Sequence, residues 1–139
     1  MAIITDTLRV ETRGTNDMID LTDRLQLLLV KHKLKEGAML LFVPGSTAGL
    51  TTIEFEPGLR QDFVALMERI APRSAHYFHE ETWNDGNGHS HVRASLLGPS
   101  LSIPFTDGHF CLGTWQQIVI LEFDVRPRTR NLVVQFNGE

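Results

Sequence analysis

The sequence predicts an α+β domain of largely antiparallel or mixed β-sheets with about three helices. Three observations carry this. Strand-like runs cluster at both ends of the chain instead of alternating regularly with helices, the pattern of α+β rather than doubly wound folds. Two segments, around 21–29 and 59–70, repeat apolar residues at helical spacing. The 139 residues suit one domain spanning 1–139, which can bury about two-thirds of its unfolded surface and needs no cross-link merely to fold.

The elements follow in order. Residues 3–11 alternate loosely and hold Ile, Val and Thr, so they predict an opening strand. Arg13 to Asp17 is a turn signal. From Asp20, a plausible N-cap, Leu21, Leu25, Leu28 and Leu29 mark a helix; Lys31, Lys33 and Lys35 suit its far end and Gly37 its stop. His32 reads as a solvated residue at that end. Ala38 to Val43 predicts a buried strand, Pro44-Gly45 breaks it, and Leu50 to Phe55 predicts another. A second helix, 59–70, presents Phe63, Leu66, Met67 and Ile70 on one face before Pro72. The polar, Gly/Asn-rich stretch 79–88 reads as a loop and 91–97 as a short helix closed by Gly98. Strands at 100–105, 109–113, 116–124 and 131–137 complete the chain, with a hairpin turn at Thr106-Asp107-Gly108.

Composition excludes several classes. A net charge of −4 lacks the basic footprint of a nucleic-acid binder. The longest apolar runs fall far short of the ~20 residues a spanning helix needs. No basic, apolar leader opens the chain, so a cytoplasmic address is expected. The single cysteine, Cys111, excludes an internal disulfide framework. It is expected to be buried and inert in its strand.

The unusual number is six histidines, five of which (His76, His79, His89, His91, His109) fall between residues 76 and 109. His89 and His91 share one side if the backbone is extended, but stand about 200° apart on a helix, because each residue turns roughly 100°. Neutral imidazole is the commonest metal-ligating side chain, and three of them with an open position is a known plan for catalytic zinc. Glu54, Glu80, Glu81 and Asp85 are available as ligand, orienting group or base. No HExxH, CxxC or EF-hand pattern is present, so the cluster alone reads equally as a site or as solvated loop imidazoles.

Other features are weaker. Ser46 and Thr47 lie in a small-residue loop whose amides and hydroxyls suit an anion; the same loop reads equally as a tight turn. The absence of a G-x-S-x-G elbow argues against a serine hydrolase. Arg126, Arg128 and Arg130 read as a solvated turn, or as a phosphate grip if they border the histidines. Arg93 follows the His pair and is a second candidate for binding an anion. Trp115, between two strands, reads as a core anchor or an interface residue.

Several stretches fall into a known order. Ser46-Thr47-Ala48-Gly49-Leu50-Thr51-Thr52-Ile53-Glu54, Tyr77-Phe78-His79, Asn87-Gly88-His89-Ser90-His91, Ser95-Leu96-Leu97-Gly98, Leu112-Gly113-Thr114-Trp115-Gln116 and the terminal Gly138-Glu139 together resemble the YjbQ-like family. The resemblance runs from about residue 3 to the C-terminus. It implies a compact α+β homotrimer with a histidine-rich, metal-binding pocket, and the label "secondary thiamine-phosphate synthase" implies a side activity. Residue by residue it carries over Glu54, His79, His89 and His91. It also exposes a departure: the family usually has a His just before the Thr/Ser-Thr-Ala stretch, and here that place is Gly45.

Two expectations follow. In the first, the chain is an enzyme on a phosphorylated small molecule. A divalent ion, zinc first among candidates, sits on His79, His89 and His91. Glu54 with His79 and His91 carries catalysis, and Ser46, Thr47 and Arg93 bind the anion. In the second, Gly45 marks a vestigial site, and the chain is a non-catalytic trimeric module that binds a metal or an anion. His76 is one candidate to replace the missing imidazole.

Overall fold

The computed structural model describes residues 1–139. The elements are β1 (Ala2–Thr12), β2 (Asp17–Asp20), α1 (Thr22–Lys31), β3 (Gly37–Phe42), β4 (Ala48–Ile53), α2 (Pro57–Ile70), α3 (Phe78–Trp83), α4 (Gly88–Leu97), β5 (Ser100–Thr106), β6 (His109–Phe110), β7 (Gln117–Glu122) and β8 (Arg128–Gly138). The α+β prediction holds, with four helices instead of three.

Two antiparallel sheets form. One has five strands in the order β1-β8-β3-β5-β6, the other three in the order β2-β7-β4. Strand alternation explains how they stack, since successive side chains point to opposite faces. Leu8, Val10, Met39, Leu41, Leu132, Val134 and Phe136 of the larger sheet bury against Leu21, Leu25 and Leu29 around α1, and against Leu50, Ile118 and Ile120 of the smaller sheet. The opposite face of the smaller sheet carries Met18, Val119 and Leu121, which with Phe123 form a second core with Met67 of α2 and Ala94 of α4. Strand β7 is therefore buried on both faces, and that is why Ile118 to Leu121 is an uninterrupted apolar run.

Several local expectations change. The turn after β1 leads into β2, a four-residue strand too short to show periodicity, which pairs with β7. Helix α1 begins after Leu21, yet Asp20 still accepts its first amide, from Thr22 N at 3.0 Å. In β3, Met39 and Leu41 are buried while Leu40 and Phe42 lie on the uncovered outer face. In α2, Met67 is buried and Phe63 packs partly on the second core, whereas Leu66 and Ile70 face outward. Its start is capped by the Glu56 carboxylate, which accepts from Gly58 N at 2.9 Å and from Leu59 N. The polar stretch expected to be a loop contains the one-and-a-half-turn helix α3, with two acidic residues in its first turn and Asn84 in the left-handed conformation at its end.

Three side chains also depart from expectation. His32 is not solvated: its Nε2 lies 2.8 Å from Asp6 Oδ2 and its ring tilts against Phe136. Cys111 is exposed, not buried. Trp115 is 71% exposed, so within one chain it anchors no core.

Candidate functional site

A cavity of about 440 Å³ opens where four segments meet: the β3–β4 loop (Gly45, Ser46, Thr47), the α3 region (His79, Trp83, Asp85, Asn87), α4 (His91), and the β7–β8 turn with the start of β8 (Asp124, Arg128, Arg130). Its histidine side is built locally. Glu80 of α3 accepts from Gly86 N and Gly88 N, both at 2.7 Å, and so folds the 84–88 turn back onto its own helix. Helix α4 starts at Gly88, and Ser90 anchors it by donating its hydroxyl to the Phe123 carbonyl at the end of β7. This places the first turn of α4 beside Asp124.

The helix then decides which histidines meet. His91 turns to the cavity, its ring 4.3 Å from that of His79. His89, about 200° away around the same helix, is 1% exposed and packs beside Tyr77. Burial, then Arg93 and Arg73, push its imidazole below the usual value of 6.5. Burial is also the first cause of the lowered value of His91, with neighbouring His79 second. His91 is therefore neutral at pH 7, the form that accepts a proton or donates a lone pair. Asn87 links the other partner. Its amide nitrogen donates to His79 Nε2 at 3.0 Å and to Asp85 Oδ1 at 2.6 Å, and Asp85 Oδ1 itself lies 3.3 Å from His79 Nε2.

Much of the rest of the lining belongs to a buried ionic network. Glu122 is fully buried and receives Arg130 Nε at 2.8 Å, Arg130 Nη2, and the Thr12 hydroxyl at 2.7 Å. Thr47 accepts from Arg130 Nη2 at 2.8 Å and donates to Asp124 Oδ2 at 3.1 Å, which also pairs with Arg128 Nη1 at 3.0 Å. Buried charges persist only when paired and hydrogen-bonded, and each of these is.

The predicted site is thus partly assembled. His79, His91, Ser46 and Thr47 border one cavity, Thr47 through its network and Ser46 at the exposed mouth. His89 does not join them. Glu54 is exposed and lines a different depression with Trp115 and Gln116. Arg93 is 1% exposed and spent on structure, donating to the Ala71 carbonyl, Asn16 Oδ1 and Glu68 Oε2. His76 stands outside, 3.5 Å from Glu81. The guanidiniums that do reach the cavity are Arg128 and Arg130, both on strand β8 and not in a solvated turn. Asp124 and Glu122 carried no sequence signal, because their role depends on strands brought together from distant positions.

The three-imidazole zinc set does not fit this arrangement. No three His, Cys, Asp or Glu side chains converge where one ion could be held. What the cavity offers instead is two facing imidazoles, one beside a carboxylate, together with two guanidiniums.

The whole chain has clear counterparts. The model of a family described as "UPF0047 protein YjbQ-like" matches residues 6–139. A UPF0047 protein of Archaeoglobus fulgidus is 36% identical over 128 residues, covering 92% of this chain and 97% of that one. UPF0047 protein YugU of Bacillus subtilis is 32% identical over 134 residues, covering 95% and 98%. Among solved structures, a YbjQ-like protein of unknown function from Sulfolobus solfataricus superposes with a TM-score of 0.92 at 30% identity, covering 99% of each chain. An uncharacterized conserved protein of the yjbq/upf0047 family from Clostridium acetobutylicum gives 0.86 at 32% identity, covering 95% of this chain and 99% of that one.

Proposed function

Because the chain belongs to the YjbQ-like UPF0047 family, we propose that its cavity is an active site for a phosphorylated small molecule, with His79 and His91 moving the proton. The observation that supports this is the facing pair, 4.3 Å between rings, bordering the same cavity as Arg128 and Arg130. A guanidinium fork matches phosphate oxygens. An imidazole held by a side-chain amide, as His79 is by Asn87, whose other donor contact is Asp85, is fixed in orientation for general acid or base work. Neutral His91 is free to take a proton from a substrate hydroxyl or a water, and once protonated to hand it to a leaving phosphate.

In the thiamine-phosphate synthase reaction, a pyrimidine diphosphate joins a thiazole phosphate and releases pyrophosphate. On this reading the leaving pyrophosphate lies on the arginine side. The test is turnover of the two precursors by tag-free protein, with His79→Ala and His91→Ala as comparisons. Product formed by the parent and lost in both variants supports the reading. Phosphate binding with no turnover of these or other phosphorylated substrates points to a non-catalytic module. Absence of phosphate binding overturns both.

A second reading keeps a divalent ion, zinc first, because Asp85 stands beside His79 and both imidazoles border the cavity. Of the predicted set only His79 and His91 border the cavity, so such an ion would depend on substrate oxygens for its remaining positions and would polarise one of them. Metal content measured by mass spectrometry, before and after added zinc, decides it. Retention lost in His91→Ala and kept in His109→Ala supports it; a protein that refuses zinc sinks it. A homotrimer belongs to the same proposal, with the exposed Trp115 and the outer-face Leu40 and Phe42 available for contact. Light scattering on the eluted protein checks that.

A further inference from the structure

Arg130 projects from β8 into the floor of the cavity with a side chain only 3% exposed. Two of its three nitrogens are committed. Nε donates to Glu122 Oε1 at 2.8 Å, and Nη2 donates to Glu122 Oε2 and to Thr47 Oγ1. Nη1 donates to no protein atom. It is nonetheless not sealed in, since no fully buried side-chain nitrogen or oxygen in the chain lacks a partner. Its unused N–H groups therefore open toward the cavity.

Gly45 stands over that nitrogen. A Cβ at position 45 would lie 2.7 Å from Arg130 Nη1, closer than carbon and nitrogen tolerate, and the backbone there has φ +142°, a conformation side chains rarely adopt. Both facts call for glycine. The guanidinium cannot withdraw to make room, because two of its three nitrogens are held by Glu122 and Thr47. Position 45 and the free edge of Arg130 therefore compete for one space.

We propose that Arg130 Nη1, left uncovered by Gly45, is a subsite for one terminal oxygen of a phosphate group, and that position 45 determines whether the pocket admits it. The inference rests on the reading of the cavity as a phosphate pocket. Glu122 offsets the charge of Arg130, so the subsite recognises its oxygen by the placed N–H groups more than by net charge. A lysine at 130 keeps the charge but not the planar fork. Recognition here is of a phosphate monoester or diphosphate end, the oxygen geometry that a fixed guanidinium edge accepts.

The experiment measures binding of inorganic phosphate and of pyrophosphate by calorimetry to the full chain, alongside Gly45→Ala, Arg130→Lys and Arg128→Gln. Circular dichroism and thermal melting confirm that each variant is folded. Gly45→Ala is the safeguard, because it removes no atom of the Arg130–Glu122 pair. The expected result is binding by the parent, weakened about tenfold or more in both Gly45→Ala and Arg130→Lys, the size of one lost charge-assisted hydrogen bond. Parent-like affinity in folded Gly45→Ala and Arg130→Lys, with a loss in Arg128→Gln, overturns the subsite and leaves the pocket reading standing. No binding of either anion by the parent overturns the pocket reading, and the subsite with it.

Discussion

His79 and His91 lie on different helices, yet their rings stand 4.3 Å apart, while His89, two residues from His91, points into the interior beside Tyr77. Helix rotation separates the neighbours in sequence, and the fold-back of the 84–88 turn onto Glu80 joins the distant pair. The two roles this assigns are separable by experiment.

Replacing His89 vacates a buried position. His89→Ala is expected to lose about 1–3 kcal/mol of stability, the usual cost for a buried site, and to keep phosphate affinity. His91→Ala is expected to lose binding or turnover while changing stability by less than about 1 kcal/mol, since its ring is only partly buried. Urea denaturation and calorimetry on the same samples read both. The reverse pattern would place the functional imidazole in the interior.

The titration of His91 follows from its surroundings. Burial first and His79 second favour its neutral form, so its midpoint lies below 6.5. Removing His79 takes away the second cause and, because the rings are packed together, part of the first. NMR titration of the ring protons should therefore show the His91 midpoint rising in His79→Ala. An unchanged midpoint would mean that the two rings do not sense each other in solution.

The contact of His32 with Asp6 predicts a limb of acid denaturation. Asp6 is held below the ordinary 3.8, chiefly by its hydrogen bond from His32 and then by the Thr7 amide. Its unfolded form binds a proton first, so stability rises with pH across this window. The contribution is fully present above pH 3.8 and fades as pH falls through the lower folded value. In Asp6→Asn the stability difference from the parent should shrink steadily on acidification below about pH 4. A difference that stays constant down to pH 2 contradicts this assignment.

Arg93 tests structure against function. Its three acceptors, the Ala71 carbonyl, Asn16 and Glu68, tie α4 to the turn before β2 and to the end of α2. Arg93→Ala is expected to cost about 2–4 kcal/mol, mostly from the buried hydrogen bonds left unmade. The Glu68 carboxylate is half-exposed and contributes little to that figure. Phosphate affinity in the folded variant should match the parent. A folded Arg93→Ala with full stability and no binding would return Arg93 to the site.

The sequence alone determined what neighbouring residues decide. The apolar spacing of α1 and α2, the strand β7, the Thr106-Asp107-Gly108 hairpin, the α+β class and the family resemblance were all legible in it, because local propensity and periodicity act over a few residues. It also posed the right alternative for His89 and His91, converging if extended and diverging if helical. Only the tertiary structure decided which alternative holds and what else reaches the cavity. Thr47 meets Asp124 across 77 positions and Arg130 across 83, and no local pattern encodes such contacts. The same holds for the exposure of Trp115 and Cys111, the burial of Arg93, and the pairing of Arg130 with Glu122. Each depends on which strand face turns inward and what packs against it, and stacking the two sheets settles that. The six histidines are divided by that stacking into a facing pair, a buried member beside Tyr77, a partner for Asp6, and two at the surface.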